Sequence, residues 1–464
     1  MKPSFARNGP RRWPIYFLMG SRKNNLIGIK AVLLAIILYG SLSAQTPLSL
    51  ETAIRLSDDH SFTVKAARSD SLTALYDLGA SRALRYPSVS LTATSFYINK
   101  LQSINLPFSS MTIGAHNNYQ ADLKLTLPIW TGGRIGGQVD VQTALFEARG
   151  ANLEAARLSN AYNTRKAYLS VISAGAMLNA AHASSDRVRM ILNDTQDRFR
   201  AGSADSVDIL GAELALLRIA QLETERNFAL DNARQLLGKL LGMEIVPGTV
   251  YDSIPQPNED AAKVKSYEVE PPTTETLNRP ELVIYENRAR ASDISIGLSR
   301  AGYLPNISGF GGYSAGKPNK DIFGNKWNDY WNVGLNLNWD FNLGNRIGKT
   351  VSSAKAAASA ARSQKEDIEE SLLLQAKTAW NNLTLAFQNY DYSRSQFEIA
   401  RKQYALGQEK QKAGALSLNR LLELVADLSS SEQLFRASTI NYYIAETEYL
   451  YAIGSPRIYG GIQR

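Results

Sequence analysis

The chain contains no cysteine. Disulfides, thiolate metal sites and a lipid anchor on an N-terminal cysteine are therefore excluded. Histidine is almost as scarce: His60, His116 and His182 are scattered, two falling on expected helices and one in a loop. Long apolar runs are missing too. Past residue 45 no stretch is long enough to cross a bilayer as a helix. An acidic or basic bias is also lacking once its position is considered. The net charge is +8, but residues 1–45 hold seven Lys or Arg and no acid, and without them the two signs nearly cancel. No nucleic-acid footprint survives.

What that N-terminal stretch does contain is an export signal. Basic residues precede the apolar run from Ala31 to Tyr39, and the small residues Ser41, Ser43 and Ala44 follow. This order predicts a signal peptide over 1–44, cleaved after Ala44. Met19 begins a signal of more ordinary length. An exported chain without helical spans crosses a membrane, if it does so at all, as strands.

One such strand is conspicuous. In WNVGLNLNWDFN, Trp331, Val333, Leu335, Leu337, Trp339 and Phe341 alternate with Asn, Gly and Asp. A period of two means one apolar and one polar face. Trp331 and Trp339 lie about 27 Å apart along an extended strand, a spacing that suits two aromatic girdles after tilt. The segment QADLKLTLPIW alternates in the same way, with Ala121, Leu123, Leu125, Leu127 and Ile129 on one face, and it ends on Trp130.

Internal repetition organises the rest. Gly132, Arg134, Ile135 and Gly136 recur as Gly344, Arg346, Ile347 and Gly348; Ala201-Gly202 recurs as Ala413-Gly414, and Leu241-Gly242 as Ile453-Gly454. All share one offset, whereas YPSVSL at 86–91 and LPNISG at 304–309 show the first copy to be six residues longer between its Pro and its Arg. The first repeat covers 45–244, with a helix over 48–84, strands over 88–103 and 117–130, and long helices over 133–200 and 204–242. A Pro-rich acidic linker follows at 245–276. The second repeat covers 277–454, with a helix over 277–302, strands over 306–316 and 329–342, and long helices over 345–412 and 416–454. A tail, 455–464, ends the chain. The longest helices reach roughly 100 Å and need coiled-coil neighbours to bury their apolar faces. Leu210, Leu214 and Leu217, and Leu421, Val425, Leu428 and Phe435, carry the corresponding four-three spacing.

Four strands are too few for a transmembrane barrel, whose smallest common form has eight. Closure therefore requires several copies, and three give twelve strands. The expected fold is mainly α with a membrane β-barrel closed by several copies. In that arrangement the apolar face of 331–341 meets lipid, with Trp130, Trp331 and Trp339 as girdle residues, and the polar face lines a lumen. Catalysis finds no support. GFGGYSAG lacks the spacing of a phosphate loop, and the carboxylates interleave with Lys and Arg as on solvated helix faces. A non-channel structural coiled coil leaves the Trp-bounded strands unexplained, and a porin-like channel has more strands and far less helix.

With the duplicated plan, the RYP and YLP junctions, the WTGGR and NLGNR strand exits, and the turns FRAGSADSVDIL and QKAGALSLNRLL, the chain resembles the TolC family of outer-membrane efflux proteins. The resemblance implies a homotrimer whose twelve-stranded barrel is continued by an α-helical tunnel, in the outer membrane of a Gram-negative bacterium and extending into the periplasm. It implies a passive exit duct of a tripartite efflux or type I secretion system, with no cofactor. The implied partners are a periplasmic adaptor (membrane fusion protein) and an inner-membrane transporter of the RND or ABC type, which chooses the cargo. On this reading Arg200, Ala201, Gly202 and Ser203, with Lys412, Ala413, Gly414 and Ala415, form tips that meet the adaptor. The family's constricting acidic positions map onto Arg420 and Glu423, with Asp208 the first-copy equivalent of Arg420. Arg420 departs from the family pattern, which has a carboxylate there, and implies an ionic clasp in place of a purely acidic ring.

Overall fold

The computed structural model describes residues 47–254, 257, 272–320, 325–341 and 343–460. The signal peptide expected at 1–44 and the middle of the linker lie outside the described residues. Ser49 opens the first helix: its hydroxyl accepts from the Thr52 amide at 3.1 Å, the usual way a serine cap satisfies an open backbone donor. Helix α1 (Leu50–His60) is followed at once by α2 (Phe62–Ala83). Where the sequence predicts one helix over 48–84, Ser61 divides it. Its amide closes α1 on the Ser57 carbonyl at 2.8 Å, and its hydroxyl accepts from the Val64 amide at 3.4 Å to start α2.

Strand β1 (Ser88–Tyr97) also stops short of the expected 103. Ile98 donates to the His116 carbonyl at 2.8 Å, and the chain then leaves the sheet as a separate hairpin of β2 (Gln102–Leu106) and β3 (Ser109–Ile113). The six extra residues of the first copy are accommodated in the connection that carries this hairpin. It returns into β4 (Asn117–Trp130). After the long helices of the first copy come β5 (Asn306–Lys317) and β6 (Asn328–Asn338). β6 was expected to run to 342, but the ladder ends where Asn338 pairs with Asn306. The next partner is Pro305, which has no amide to donate. Trp339, Asp340 and Phe341 therefore follow the strand without belonging to it, and Asn342 lies outside the described residues.

The sheet has the order β1-β4-β5-β6 and is antiparallel throughout. Its register groups side chains by face. Leu91, Leu123, Tyr313 and Trp331 form one cross-strand row, and Val89, Leu125, Gly311 and Val333 the next on the same face. The alternate rows are Thr92, Asp122, Ser314 and Tyr330, and Ser90, Lys124, Gly312 and Asn332.

The helices are α3 (Arg134–Arg200), α4 (Ser206–Leu241), α5 (Pro280–Arg300), α6 (Arg346–Lys412) and α7 (Leu418–Ile453). Their packing repeats the layout of the sheet. Near the strands the layer runs α2-α3-α5-α6; farther away it runs α4-α3-α7-α6. Buried Leu50, Leu158, Tyr168, Leu237 and Leu450 form one core; Leu169, Leu372, Leu383, Ile440 and Tyr443 form a second. A third, near the far end, joins Val188, Ile191, Tyr404, Leu421, Val425 and Leu428. The last described residues are docked, with Ile458 fully buried and the Gly460 carbonyl accepting from Arg165 at 2.9 Å.

Candidate functional site

Each layer leaves two edges open in a single chain: β1 and β6 in the sheet, α2 or α4 and α6 among the helices. The apolar face of the sheet is bare. Trp331 is 74 % exposed and Leu335 72 %, with Val89, Leu91, Val333 and Leu337 similarly uncovered. Such a continuous apolar patch marks a membrane or partner surface. The opposite face is a groove lined by Ser90, Thr92, Asp122, Lys124, Asn332 and Asn336. On that face the Phe310 ring packs against Gly334, where a Cβ would meet it at 2.8 Å. An aromatic ring over a glycine covers the bare backbone.

Three tryptophans were expected at the two margins of this face. Trp331 is in the row of Tyr313, and Tyr119 stacks on Trp327 at 6.2 Å between ring centres toward the same end. Strict alternation along β4 would turn Trp130 to the polar side. The register shifts between Pro128 and Trp130, so Trp130 pairs with Ile307 in the apolar row of Leu337. A bulge re-aims a side chain in this way. Trp339, just past β6, donates its indole N–H to the Tyr303 carbonyl at 3.1 Å and packs on Phe341.

At the other extreme the two helical tips are built alike. α3 ends with Gly202 at φ +77°, its amide donating to the Phe199 carbonyl at 3.0 Å and the Ser203 amide to the Arg198 carbonyl at 2.8 Å. α6 ends with Gly414 at φ +73°, with Gly414 to Gln411 at 3.0 Å and Ala415 to Lys410 at 2.8 Å. Both are Schellman closures, which favour glycine for its left-handed backbone. Asp205 and Ser417 then cap the return helices α4 and α7. Nothing lies within 4 Å of a Cβ placed on either tip glycine, so both turns face open space. Arg200 pairs with Asp197 at 2.9 Å within α3, while Arg198 reaches Gln411 across to α6 at 3.2 Å.

Asp208, Arg420 and Glu423 lie just past these tips, and the two helix starts touch, since a Cβ on Gly211 would lie 3.7 Å from Asn419. The structure does not join all three. Arg420 pairs with Glu423 at 2.5 Å along α7, both exposed. Asp208 instead completes a capping box with Asp205 at the start of α4: its carboxylate accepts from the Asp205 amide at 3.4 Å, and its own amide donates to Asp205 at 3.0 Å. In one chain the expected clasp between hairpins is thus an intrahelical pair beside a cap.

The hairpins are joined elsewhere, along the α3–α7 seam. Arg187 donates to Glu432 at 2.8 Å and Ser184 to Ser429 at 2.7 Å; nearer the sheet Arg165 donates to Thr447 at 3.0 Å, and Lys166 pairs with Glu448 at 3.2 Å. Burial acts to raise the Glu432 carboxyl, but hydrogen bonds from Arg187 and Arg436 outweigh it and hold it below the usual range. A carboxylate with a depressed folded pKa stabilises fully above its unfolded value, about 4.3, and this is lost as pH falls through the folded value. Glu432→Gln is therefore expected to cost about 1.5–3 kcal/mol at pH 7 and less at pH 3. Thermal unfolding at the two pH values checks it; an equal loss at both would remove the charge from the explanation.

The family described as "Outer membrane efflux protein" matches residues 53–243 and 273–454. The chain belongs to the outer membrane efflux protein family. Among curated relatives, the outer membrane protein TolC of Vibrio cholerae is 25% identical over 257 residues, which is 54% of this chain and 55% of that protein. That match therefore spans about half the length of the relative. Among solved structures, the Campylobacter jejuni CmeC outer membrane channel aligns with a TM-score of 0.71 at 19% identity, covering 87% of this chain and 85% of that one. The open-state MtrE outer membrane channel of Neisseria gonorrhoeae aligns at 0.70 and 17% identity, covering 90% of each. At these identities the likeness establishes the fold, a barrel strand sheet joined to a long helical body.

Among the described residues no helix is long and apolar enough to cross a membrane, and no group of three or more His, Cys, Asp or Glu is placed to hold a metal ion. Sequence reasoning missed the α3–α7 seam. Its signals were two carboxylates, Glu432 and Glu446, on the face of α7 that also carries Leu421, Val425 and Leu428.

Proposed function

We propose that the chain forms a homotrimeric exit duct in the outer membrane of a Gram-negative bacterium, passive in itself and gated at its periplasmic tips. The observation that carries this reading is the four-stranded sheet, apolar and bare on one face, polar and grooved on the other, with both edges unpaired. Lipid cannot satisfy open strand edges, so such a sheet must close on further copies. Because β1 and β6 run in opposite directions, a rotation that brings β6 of one copy to β1 of the next continues an antiparallel ladder. Three copies complete twelve strands. The helical layers support the same operation. Leu210 on α4 is 63 % exposed, and Leu214, Leu217 and Phe228 continue its stripe; Leu385, Tyr392, Ile399 and Leu406 on α6 are bare at heptad spacing. These are the outer helices of the layer, and each offers the other the seam of a coiled coil.

Partners follow from the tips. Open Schellman turns and the exposed Val207 and Leu210 beside them provide a surface for a periplasmic adaptor, and through it for an inner-membrane transporter of a tripartite efflux or type I secretion system. Around the three-fold axis, Arg420, Glu423 and Asp208 ring the aperture. With Arg420 paired to Glu423 in its own helix, Asp208 of a neighbouring hairpin supplies the third charge of an ionic clasp. Exposed pairs contribute only about 0–1 kcal/mol each, so a three-fold set holds the tip closed yet yields to an adaptor. Single-channel recording in planar bilayers tests both levels. The purified protein is expected to conduct, and Arg420→Ser to conduct more, with high salt partly mimicking the substitution. No pore at all would refute the duct; a pore unchanged by Arg420→Ser would refute the clasp alone.

A further inference from the structure

The duplicated Gly-x-Arg turns at the strand exits play no part in the duct as described. Arg134 opens α3 and Arg346 opens α6, directly below the last residues of the sheet. Helix stability does not call for them. A helix favours acids and disfavours cations in its first turn, and neither of these helices has an acid there. From the helices that lead into the strands come Arg82 and Arg85, at the end of α2, and Arg300, the last residue of α5. All five are exposed. Asp340 is the one acid in the junctions 79–88, 129–139, 297–305 and 339–351, and it already accepts from Asn338 at 3.4 Å. Among the described residues, Arg82, Arg85, Arg134 and Arg300 make no ion pair.

Their level in the molecule gives the partner. The apolar rows end at Trp130, Ile307 and Leu337, with Trp339 and Tyr303 hydrogen-bonded just beneath. Cations immediately past an aromatic girdle lie where lipid headgroups lie. The chemistry differs between the two ends of the sheet. The far end carries lysines, Lys100, Lys317, Lys320 and Lys326, whereas this end carries five arginines beside one lysine, Lys349, and the planar forks of arginine hold phosphate bidentately. Resting on the outer-membrane reading above, we propose that these arginines form a collar that binds the phosphates of anionic phospholipids in the periplasmic leaflet.

The test is native mass spectrometry of the detergent-extracted trimer, with phosphatidylglycerol and phosphatidylcholine as probes. The wild type is expected to retain phosphatidylglycerol preferentially. In the Arg82→Gln, Arg85→Gln, Arg134→Gln, Arg300→Gln variant that retention should fall roughly ten-fold, the scale of several lost charge-assisted hydrogen bonds. Changing Arg218, Lys239, Arg394 and Lys402 to Gln, also exposed but far from the sheet, should leave it unchanged. If the fourfold variant does not assemble, the Arg82→Gln, Arg85→Gln pair alone is expected to lower retention measurably. Unchanged retention in the collar variants, or an equal fall in the distant control, overturns the collar. So does unchanged retention with altered conductance, which would place the arginines in the lumen. A wild type that conducts without any phosphatidylglycerol preference defeats the collar and leaves the duct standing; absence of both trimer and pore defeats the duct itself.

Discussion

Leu335→Arg is expected to block membrane assembly, while Asn336→Arg, one residue along, is expected to assemble and change conductance. Leu335 lies on the bare face of β6, spreading over Gly309 and beside Ile129. Its row falls between that of Trp331 and that of Leu337, so the guanidinium enters the middle of the apolar band. A charge there costs about 2–4 kcal/mol on a barrel's lipid face, and three copies multiply the cost in the trimer. Asn336 pairs with Ser308 on the grooved face, where a cation stays hydrated. The amount of heat-modifiable trimer in outer-membrane extracts reads the first effect, and planar-bilayer conductance the second. Equal impairment by both substitutions would mean that the faces are assigned wrongly.

A second large effect is expected at the tips. Gly202→Trp combined with Gly414→Trp should abolish export and leave trimers intact. Both glycines have positive φ and open surroundings, so two costs must be separated. Any L-residue there carries backbone strain of about 1–2 kcal/mol, at helix ends that fray without disturbing the cores. Only a bulky residue also obstructs a docking partner. Gly202→Ala with Gly414→Ala is therefore expected to retain export, since it adds the strain but little volume. Export by the Trp pair at wild-type level would show that nothing docks on these turns; loss in the Ala pair equal to that in the Trp pair would make the effect one of backbone alone.

Much of the fold was legible because it is written in periods. The alternation through Trp331, Val333, Leu335 and Leu337 can describe only a two-faced strand, and the repeated Ala-Gly turns announce paired helix ends. The departures arise where one residue decides between local structures. Ser61 sits in a run that reads as continuous helix, yet its hydroxyl and amide serve two helix ends at once. Pro305 ends β6 from the opposite strand, a constraint invisible along β6 itself. The bulge before Trp130 turns that side chain to the apolar face against the strict alternation of β4. Among the site residues, the tip turns were readable from Gly202 and Gly414. The pairing of Arg420 with Glu423 follows from their spacing of three on a helix, but the use of Asp208 as a cap depends on Asp205 and the geometry of the turn. The seam through Arg187 and Glu432 joins residues 245 apart in sequence, and no local pattern connects them.

Closure of the sheet by further copies of the chain is the claim on which the rest depends, and the absence of native cysteine makes it directly measurable. Leu91→Cys on β1 and Val333→Cys on β6 place one thiol on each open edge, both on the lipid face and in nearby rows. A short bis-maleimide applied to intact outer membranes should then join β6 of one copy to β1 of the next. The expected result is a covalent ladder that stops at three chains, with either single-cysteine variant giving none. A ladder ending at two, one that runs past three, or a doubly substituted chain that stays monomeric would contradict the closed twelve-stranded barrel.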